Sequence, residues 1–253
     1  MVEGTKLLGS ALDAGASVEA VFVGHASAGS DASPRPRRQD EEVDDSAVVR
    51  AASAGARVFD LGPGVLERVA DTVTPQPVLA IVRTPVATFD DLGSATFVVV
   101  CVDVRDPGNA GAVVRVADAA GADAVVCCDG TVDPFNPKTV RASAGSVLHL
   151  RVVAGGDPAV VLDRLGEMGL RRLAASSHGG EPYTEVDLRA PLALVLGNEA
   201  SGLPSSLDDH TDGRVSVPMT GGAESLNVAT AAAVLCFEVA RVRSNLPAME
   251  KAQ

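Results

Sequence analysis

Apolar residues recur with two periods in this sequence, one suited to helices and one to strands, and they fall into two successive α/β stretches. In the first, residues 6–14 read as a short helix, 18–23 as a strand, 47–55 as a helix and 57–60 as a strand. Residues 63–70 read as a helix with Pro63 near its start, and 78–82 as a strand. This alternation predicts a small α/β domain. Residues 26–45 interrupt it with two prolines, an Arg-Arg pair and an acidic run, which read as a surface loop. Residues 84–94, with Pro85, Asp90, Asp91 and Gly93, read as a linker.

The second stretch opens with an unbroken β-branched run over residues 96–102. Such a run suits a strand covered on both faces, hence a parallel sheet. A helix over 109–120, stopped by Gly121, and strands over 124–127 and 147–152 follow. A helix over 158–168 and strands over 173–176, 192–196 and 215–217 come next. Residues 223–242 contain a long helix with Leu226, Ala229, Ala233, Phe237 and Ala240 as its apolar stripe. The β-α-β order predicts a doubly wound sheet. The expected domains are 1–84 and 95–246, joined by 85–94 and followed by a tail over 247–253.

Charge complicates the functional reading. Thirty-three acidic residues against 21 basic ones give a formal charge of −12 over 253 residues. A polyanion is drawn to a basic footprint, so this balance alone favours a small-molecule partner over nucleic acid. A local patch can still bind RNA: Arg35, Arg37 and Arg38 are candidates for phosphate, although a plain solvated loop is the better account of them. One tyrosine, six phenylalanines and no tryptophan leave little scope for stacking bases. Cys101, Cys127, Cys128 and Cys236 lack zinc spacing and read as reduced, buried thiols. The four histidines show no metal spacing, so no metal is expected. No stretch approaches a transmembrane span, and a cytoplasmic location follows by default.

Three polar clusters interrupt the apolar elements. The first, residues 104–111, follows a buried strand and opens a helix, a position that faces ligands in open α/β sheets. Asn109 can cap that helix. Arg115, further along it, is either solvated or offered to a phosphate or ribose as a five-donor fork. In the second, residues 194–203, a strand ends in Gly197-Asn198-Glu199 with Gly202 beyond, and the glycines permit close backbone approach to a ligand. In the third, residues 217–227, Ser225 or Asn227 can cap the long helix, and Met219 and Leu226 can flank an apolar group. No Gly-x-x-x-x-Gly-Lys-Ser/Thr loop, Gly-x-Gly-x-x-Gly turn or His-Glu-x-x-His occurs.

Together these clusters resemble the signature of the SpoU/TrmH-type RNA 2′-O-methyltransferases of the SPOUT class. Asp106-Pro107-Gly108-Asn109-Ala110-Gly111-Ala112-Val113-Val114-Arg115 resembles the first motif of that family. Leu196-Gly197-Asn198-Glu199-Ala200-Ser201-Gly202-Leu203 resembles the second. Val217-Pro218-Met219 with Glu224-Ser225-Leu226-Asn227-Val228-Ala229 resembles the third. Residues 133–146 look like the family's linking segment. Val2-Glu3-Gly4 and Thr74-Pro75-Gln76 look like the two ends of its L30e-like substrate domain. Ala200, Ala229 and Pro77 depart from commoner glycine, serine and glycine, and the basic segment many members carry before Val2 is not in this sequence.

The resemblance implies an L30e-like RNA-binding domain followed by a SPOUT domain with a trefoil knot. It implies S-adenosylmethionine (AdoMet) as cofactor, held by Leu196, Gly197, Gly202, Val217, Met219 and Leu226. Asn109, Arg115, Glu199, Ser225 and Asn227 would be the catalytic residues, and Lys138 and Arg141 would join the loop arginines on RNA. It further implies a homodimer with the site shared across its interface, and a structured RNA substrate, 23S ribosomal rather than transfer RNA. A non-catalytic RNA-binding protein and a methyltransferase for a small molecule are the alternatives.

Overall fold

The computed structural model describes residues 1–24, 45–70 and 75–244. The loop with Arg35, Arg37 and Arg38, together with Thr74 and the 247–253 tail, lies outside the described residues. The chain divides into two units, Met1–Pro85 and Val86–Gln253.

In the first unit, β1 (Val2–Glu3), α1 (Thr5–Asp13), β2 (Val18–Gly24), α2 (Asp45–Ser53), β3 (Arg57–Leu61), α3 (Leu66–Val69) and β4 (Val78–Val82) follow in order. The sheet runs β1-β4-β2-β3, with β2 and β3 parallel and β4 antiparallel to β1 and β2. Leu8 and Ala11 of α1, Ala47 and Ala51 of α2, and Val21, Val78 and Ala80 of the sheet are buried. Gly4 sits at φ 93°, a conformation that favours glycine, and donates to the Val78 carbonyl at 2.8 Å. The Gln76 amide donates to the Glu3 carboxylate at 2.9 Å, so the two sequence markers at the ends of this stretch meet. Only Leu66–Val69 of the expected 63–70 helix forms, because Gly64 at φ 75° holds the chain in a turn before it.

The second unit contains β5 (Val86–Ala87), β6 (Phe97–Cys101), α4 (Pro107–Ala119), β7 (Ala124–Cys127), α5 (Pro137–Ala142), β8 (Arg151–Ala154), α6 (Pro158–Glu167), β9 (Arg171–Ser176), β10 (Glu181–Pro182), β11 (Leu192–Leu196), β12 (Gly213–Ser216) and α7 (Val228–Ser244). One sheet, ordered β10-β12-β9-β11-β6-β7-β8-β5, uses parallel pairing throughout. Its central strands are covered on both faces, as their unbroken apolar character requires. Val98, Val100, Val126 and Val195 meet Leu162 and Leu165 of α6 on one face. The alternate residues, including Phe97, Val99, Val125 and Leu194, are equally buried on the other, toward α4 and α7.

Two expectations need correction, the 147–152 strand and the stripe of the long helix. The predicted 147–152 strand is instead a 3₁₀ turn at Ser146–Leu148 followed by β8. Ala144 at φ 51° and Gly145 at φ 98° turn the chain there, and the apolar Val147 and Leu148 are buried in the turn rather than in a strand. Residues 84–94 carry β5, paired with β8, and a 3₁₀ turn at Phe89–Leu92 closed by a reciprocal Thr88–Asp91 cap. The long helix starts only at Val228 and buries Val228, Ala232, Leu235, Cys236 and Val239. The predicted stripe lies one residue out of phase, and its Phe237 is 51% exposed. An alanine-rich helix offers too little contrast between faces to set its rotation from sequence.

All four cysteines are unpaired and buried, and burial pushes the Cys128 and Cys236 thiols up to about 12. Two polar fastenings hold the amino ends of the central strands. The Asp123 carboxylate accepts from the amides of Thr96 and Phe97 at 2.7 and 2.9 Å. Arg243, near the end of α7, donates to the carbonyls of Thr96 and Ala190, each at 2.9 Å, and to that of Leu188 at 3.4 Å. Its guanidinium lies 5.4 Å from the Phe97 ring centroid, and its burial lowers its pKa. Arg243→Ala therefore leaves three carbonyls short of a charged donor, and should lower unfolding free energy by about 2 kcal/mol or more in urea denaturation. Arg243→Lys should recover only part, because lysine lacks the planar fork. Wild-type stability in the alanine variant would show the fastening to be inert.

Candidate active site at the carboxyl ends of the parallel strands

The strand order reverses between β6 and β11. From β6 the chain moves to β7 on one side; from β11 it moves past β9 to β12 on the other. Ligands bind at such a switch point, outside the carboxyl ends of the strands. The loops that follow β6, β11 and β12 are the three polar clusters of the sequence.

Each loop is shaped by its own residues. After β6, Asp103 adopts φ 56°, unusual for a residue with a side chain. It is held there by Asn198, whose amide donates to the Asp103 carbonyl at 2.9 Å and carboxylate at 3.2 Å, and by Arg105 at 2.8 Å. Asp106, not Asn109, caps α4: its carboxylate accepts from the Asn109 amide N–H at 2.8 Å, with Pro107 in the first turn. The Asn109 side chain is thereby left for other partners.

After β11 the chain folds back on itself. Asn198 and Gly202 exchange backbone bonds at 3.0 and 2.9 Å, and the Asn198 side chain accepts from the amides of Ala200 and Ser201. A Cβ on Gly197 would lie 2.4 Å from the Gly202 carbonyl carbon and the Leu203 nitrogen. This glycine is thus required by the loop's own closure, not only by approach of a ligand. After β12, Asn227 caps α7, accepting from the Ala229 amide at 2.9 Å.

Side chains then join the three loops. The Asn109 Nδ2 donates to Glu199 at 3.0 Å, and the Asn227 Nδ2 donates to the Asn109 Oδ1 at 2.8 Å. An ionised Glu199 can only accept, so it fixes which end of the Asn109 amide faces it and, through that, the orientation of Asn227. Glu199 also accepts from the backbone amides of Arg105 at 3.5 Å and Asp106 at 3.4 Å. Burial pushes the Glu199 pKa up, but the bonds from Asn109 and from backbone amides outweigh it, and the net shift is downward.

Beside this relay opens a cleft of about 510 Å³. Leu196, Gly197, Gly202, Val217, Met219 and Leu226, singled out in the sequence as cofactor residues, all line it. Glu199 and Ser225 line it too, while Leu235 of α7 adds to its apolar wall. Sequence reasoning missed Ser176, Ser177, His178 and Arg214, which also line it. For Ser176, Ser177 and His178 the signal was available, since a polar run at the end of the apolar strand β9 falls at the same carboxyl edge. A neighbouring recess of about 450 Å³ shares Ser177, His178, Met219 and Glu224 with the cleft. The shape suits a flat apolar ring system with a polar extension.

Arg115 does not line the cleft. It is exposed in mid-α4 and makes no hydrogen bond or ion pair among the described residues. Gly111, one turn earlier, is where α5 packs: a Cβ there would lie 2.5 Å from the Ala142 side chain and the Thr139 carbonyl. Lys138, exposed, and Arg141, half-buried, are carried by α5. The sequence-derived residues therefore form two groups: Glu199 and Ser225 on the cleft wall with Asn109 and Asn227 bonded in series behind Glu199, and Arg115, Lys138 and Arg141 on the α4–α5 pair. No group of three or more metal-ligating side chains occurs among the described residues, and none of their helices is long and apolar enough to cross a membrane.

Residues 96–237 match the family model described as the SpoU rRNA Methylase family. The chain is 38% identical over 196 residues to the 23S rRNA (guanosine(2553)-2′-O)-methyltransferase RlmP of Bacillus subtilis (strain 168), covering 78% of this chain and 77% of that protein. It superposes on the AdoMet-bound rRNA methyltransferase of Sinorhizobium meliloti with a TM-score of 0.79 at 28% identity, over 97% of this chain and 87% of that one. The SpoU methyltransferase AviRb of Streptomyces viridochromogenes, in complex with AdoMet, gives 0.79 at 25% identity, over 97% and 90%. The matched residues span all three loops and over half of the sequence, and the protein belongs to the SpoU rRNA methylase family.

Proposed function

We propose that this protein is an AdoMet-dependent methyltransferase acting on a ribose 2′-hydroxyl of ribosomal RNA, in the 23S rather than the transfer class. The observation that carries the reading is the Asn227–Asn109–Glu199 relay, which joins the three loops that define the family beside a cleft lined by Glu199. Relatives described as 23S rRNA 2′-O-methyltransferases and neighbours solved with AdoMet support it.

The cleft fits AdoMet on its own chemistry. Leu196, Val217, Met219, Leu226 and Leu235 offer apolar walls for an adenine. Gly197 and Gly202 bring backbone groups to the same wall without side chains in the way. Ser177, His178 and Glu224 supply polar groups at the recess for a charged amino-acid tail. When bound there, AdoMet supplies an electrophilic methyl on a sulfonium.

A ribose hydroxyl must lose its proton as it attacks, and must be held in line with that methyl. Arg115 acts as a planar fork on the target phosphate and as a cation facing the developing alkoxide, while water or a neighbouring group takes the proton. Glu199 is fully engaged as an acceptor and orients Asn109. Asn109 and Asn227 then hold the ribose side of the site, with Ser225 at its rim.

Within one chain Arg115 is apart from the cleft, which supports a homodimer whose second copy completes the site. The outward face of α7, with Ala229, Ala233, Phe237 and Ala240, is an apolar surface consistent with that assembly. We read residues 95–246 as a SPOUT domain with a trefoil knot. In support, α7 leaves β12 on one flank of the sheet and returns to pack on α4 and β11, fastened at Thr96 and Ala190. Residues 1–84 are read as an L30e-like RNA-binding domain, with 85–94 joining the two. Lys138 and Arg141 are assigned to RNA phosphate, and the protein to the cytoplasm.

Purified protein with labelled AdoMet should place label on ribose 2′-oxygens of 23S rRNA and little on transfer RNA. Label confined to transfer RNA, or to no RNA, would defeat the reading. Arg115→Ala should keep AdoMet affinity in isothermal titration but lower single-turnover methylation by about 100-fold or more, with Arg115→Lys also defective. Near-normal turnover in Arg115→Ala would remove Arg115 from the mechanism. Gly197→Ala forces the loop after β11 open and should weaken AdoMet binding by about tenfold or more, which the same titration reads.

The lowered pKa of Glu199 gives a signed expectation. The relay persists above the usual carboxylate value and is lost only as pH falls through the depressed one. Turnover should therefore show no Glu199-dependent fall between neutrality and about pH 5. Glu199→Gln should lower it across that whole range, and a defect confined to the alkaline end would contradict the acceptor role.

A further inference from the structure

The first unit presents an aromatic stack on the edge of its sheet. Phe22 of β2 and Phe59 of β3 are register partners, and their rings lie 5.3 Å apart between centroids at 17° to one another. This one stack uses two of the six phenylalanines in the chain. Because β3 is the last strand of the sheet, no further strand among the described residues covers the outer side of Phe59, which is 41% exposed. Arg57 lies two positions earlier on the same face, with its guanidinium carbon 5.7 Å from the Phe59 centroid. Arg57 has no carboxylate partner among the described residues. Ile81, whose register partner is Ala20 and whose level is that of Arg57, extends the apolar surface at 42% exposure.

We propose that Phe59, backed by Phe22 and flanked by Arg57, forms a stacking platform for an unpaired base of the RNA substrate. The inference rests on the reading of RNA as substrate and adds a base-contacting site to it. An apolar occupant alone does not account for an unneutralised guanidinium held against a ring. A nucleotide meets both features, its base extending the stack and its phosphate meeting the cation. Every base has a π face, so the contact is tolerant of sequence and adds affinity rather than base identity. Composition argued for little stacking; the fold stacks two of the six phenylalanines at one sheet edge, with Phe59 exposed.

The test titrates full-length protein, at fixed salt, with a labelled oligouridylate about twelve nucleotides long and with an abasic ribose-phosphate chain of equal length. Wild type should prefer the oligouridylate. Phe59→Leu, which keeps an apolar side chain without a π face, should lower oligouridylate affinity by about 5- to 100-fold and leave the abasic probe unchanged. Phe59→Tyr should retain the preference, and Arg57→Ala should weaken both probes. AdoMet titration and melting curves report the integrity of each variant. Equal binding of the two probes by wild type, or an unchanged preference in Phe59→Leu, overturns the proposal. So does loss of self-association in that variant at unchanged RNA affinity, which would assign the strand to a protein contact. Methylation of rRNA by wild type is read separately, so failure of the platform and failure of the broader function are distinguishable.

Discussion

One amide holds this site together. The side chain of Asn109 has a donor end and an acceptor end, and each is committed to a different loop: the donor to Glu199, the acceptor to Asn227. Residues far apart in sequence are thereby fixed at one place, and the direction of every bond follows from the single charge on Glu199. An apolar contact could bring the loops close, but it could not fix which atoms face the cleft.

That arrangement depends on the sheet beneath it. Strands buried on both faces leave no freedom of register, since a shift by one residue would exchange the α6 side for the α4–α7 side. The loops consequently start from fixed points at the ends of β6, β11 and β12. Their own glycines and caps then complete the geometry, with Gly197 admitting its own backbone and Asp106 releasing Asn109 from the capping role that sequence alone suggests.

Much of this was legible in the residues. The β-branched runs marked the central strands, and the second and third polar clusters marked the cleft, with the first bonded to Glu199 beside it, because polar residues directly after buried strands have few places to go. The illegible parts have identifiable causes. The phase of α7 was lost among alanines that differ little in apolarity. The strand expected at 147–152 failed because Ala144 and Gly145 turn the chain, a conformation that apolarity does not encode. Arg214 lies at the cleft because β12 pairs with β9, which borders β11, and strand order cannot be read from spacing. Likewise, the pairing of Phe22 with Phe59 depends on which strands become neighbours.

The order of strands also has a kinetic side. β9 is made before β11, yet its sheet partners are β11 and β12, so it has no place in the growing sheet until they arrive. Meanwhile one edge of β6, with Val98 and Val100, awaits Leu192–Leu196. Such long-range closure slows folding and leaves an adhesive edge open during synthesis. A nascent chain halted between β8 and β11 would therefore be a natural client for a chaperone.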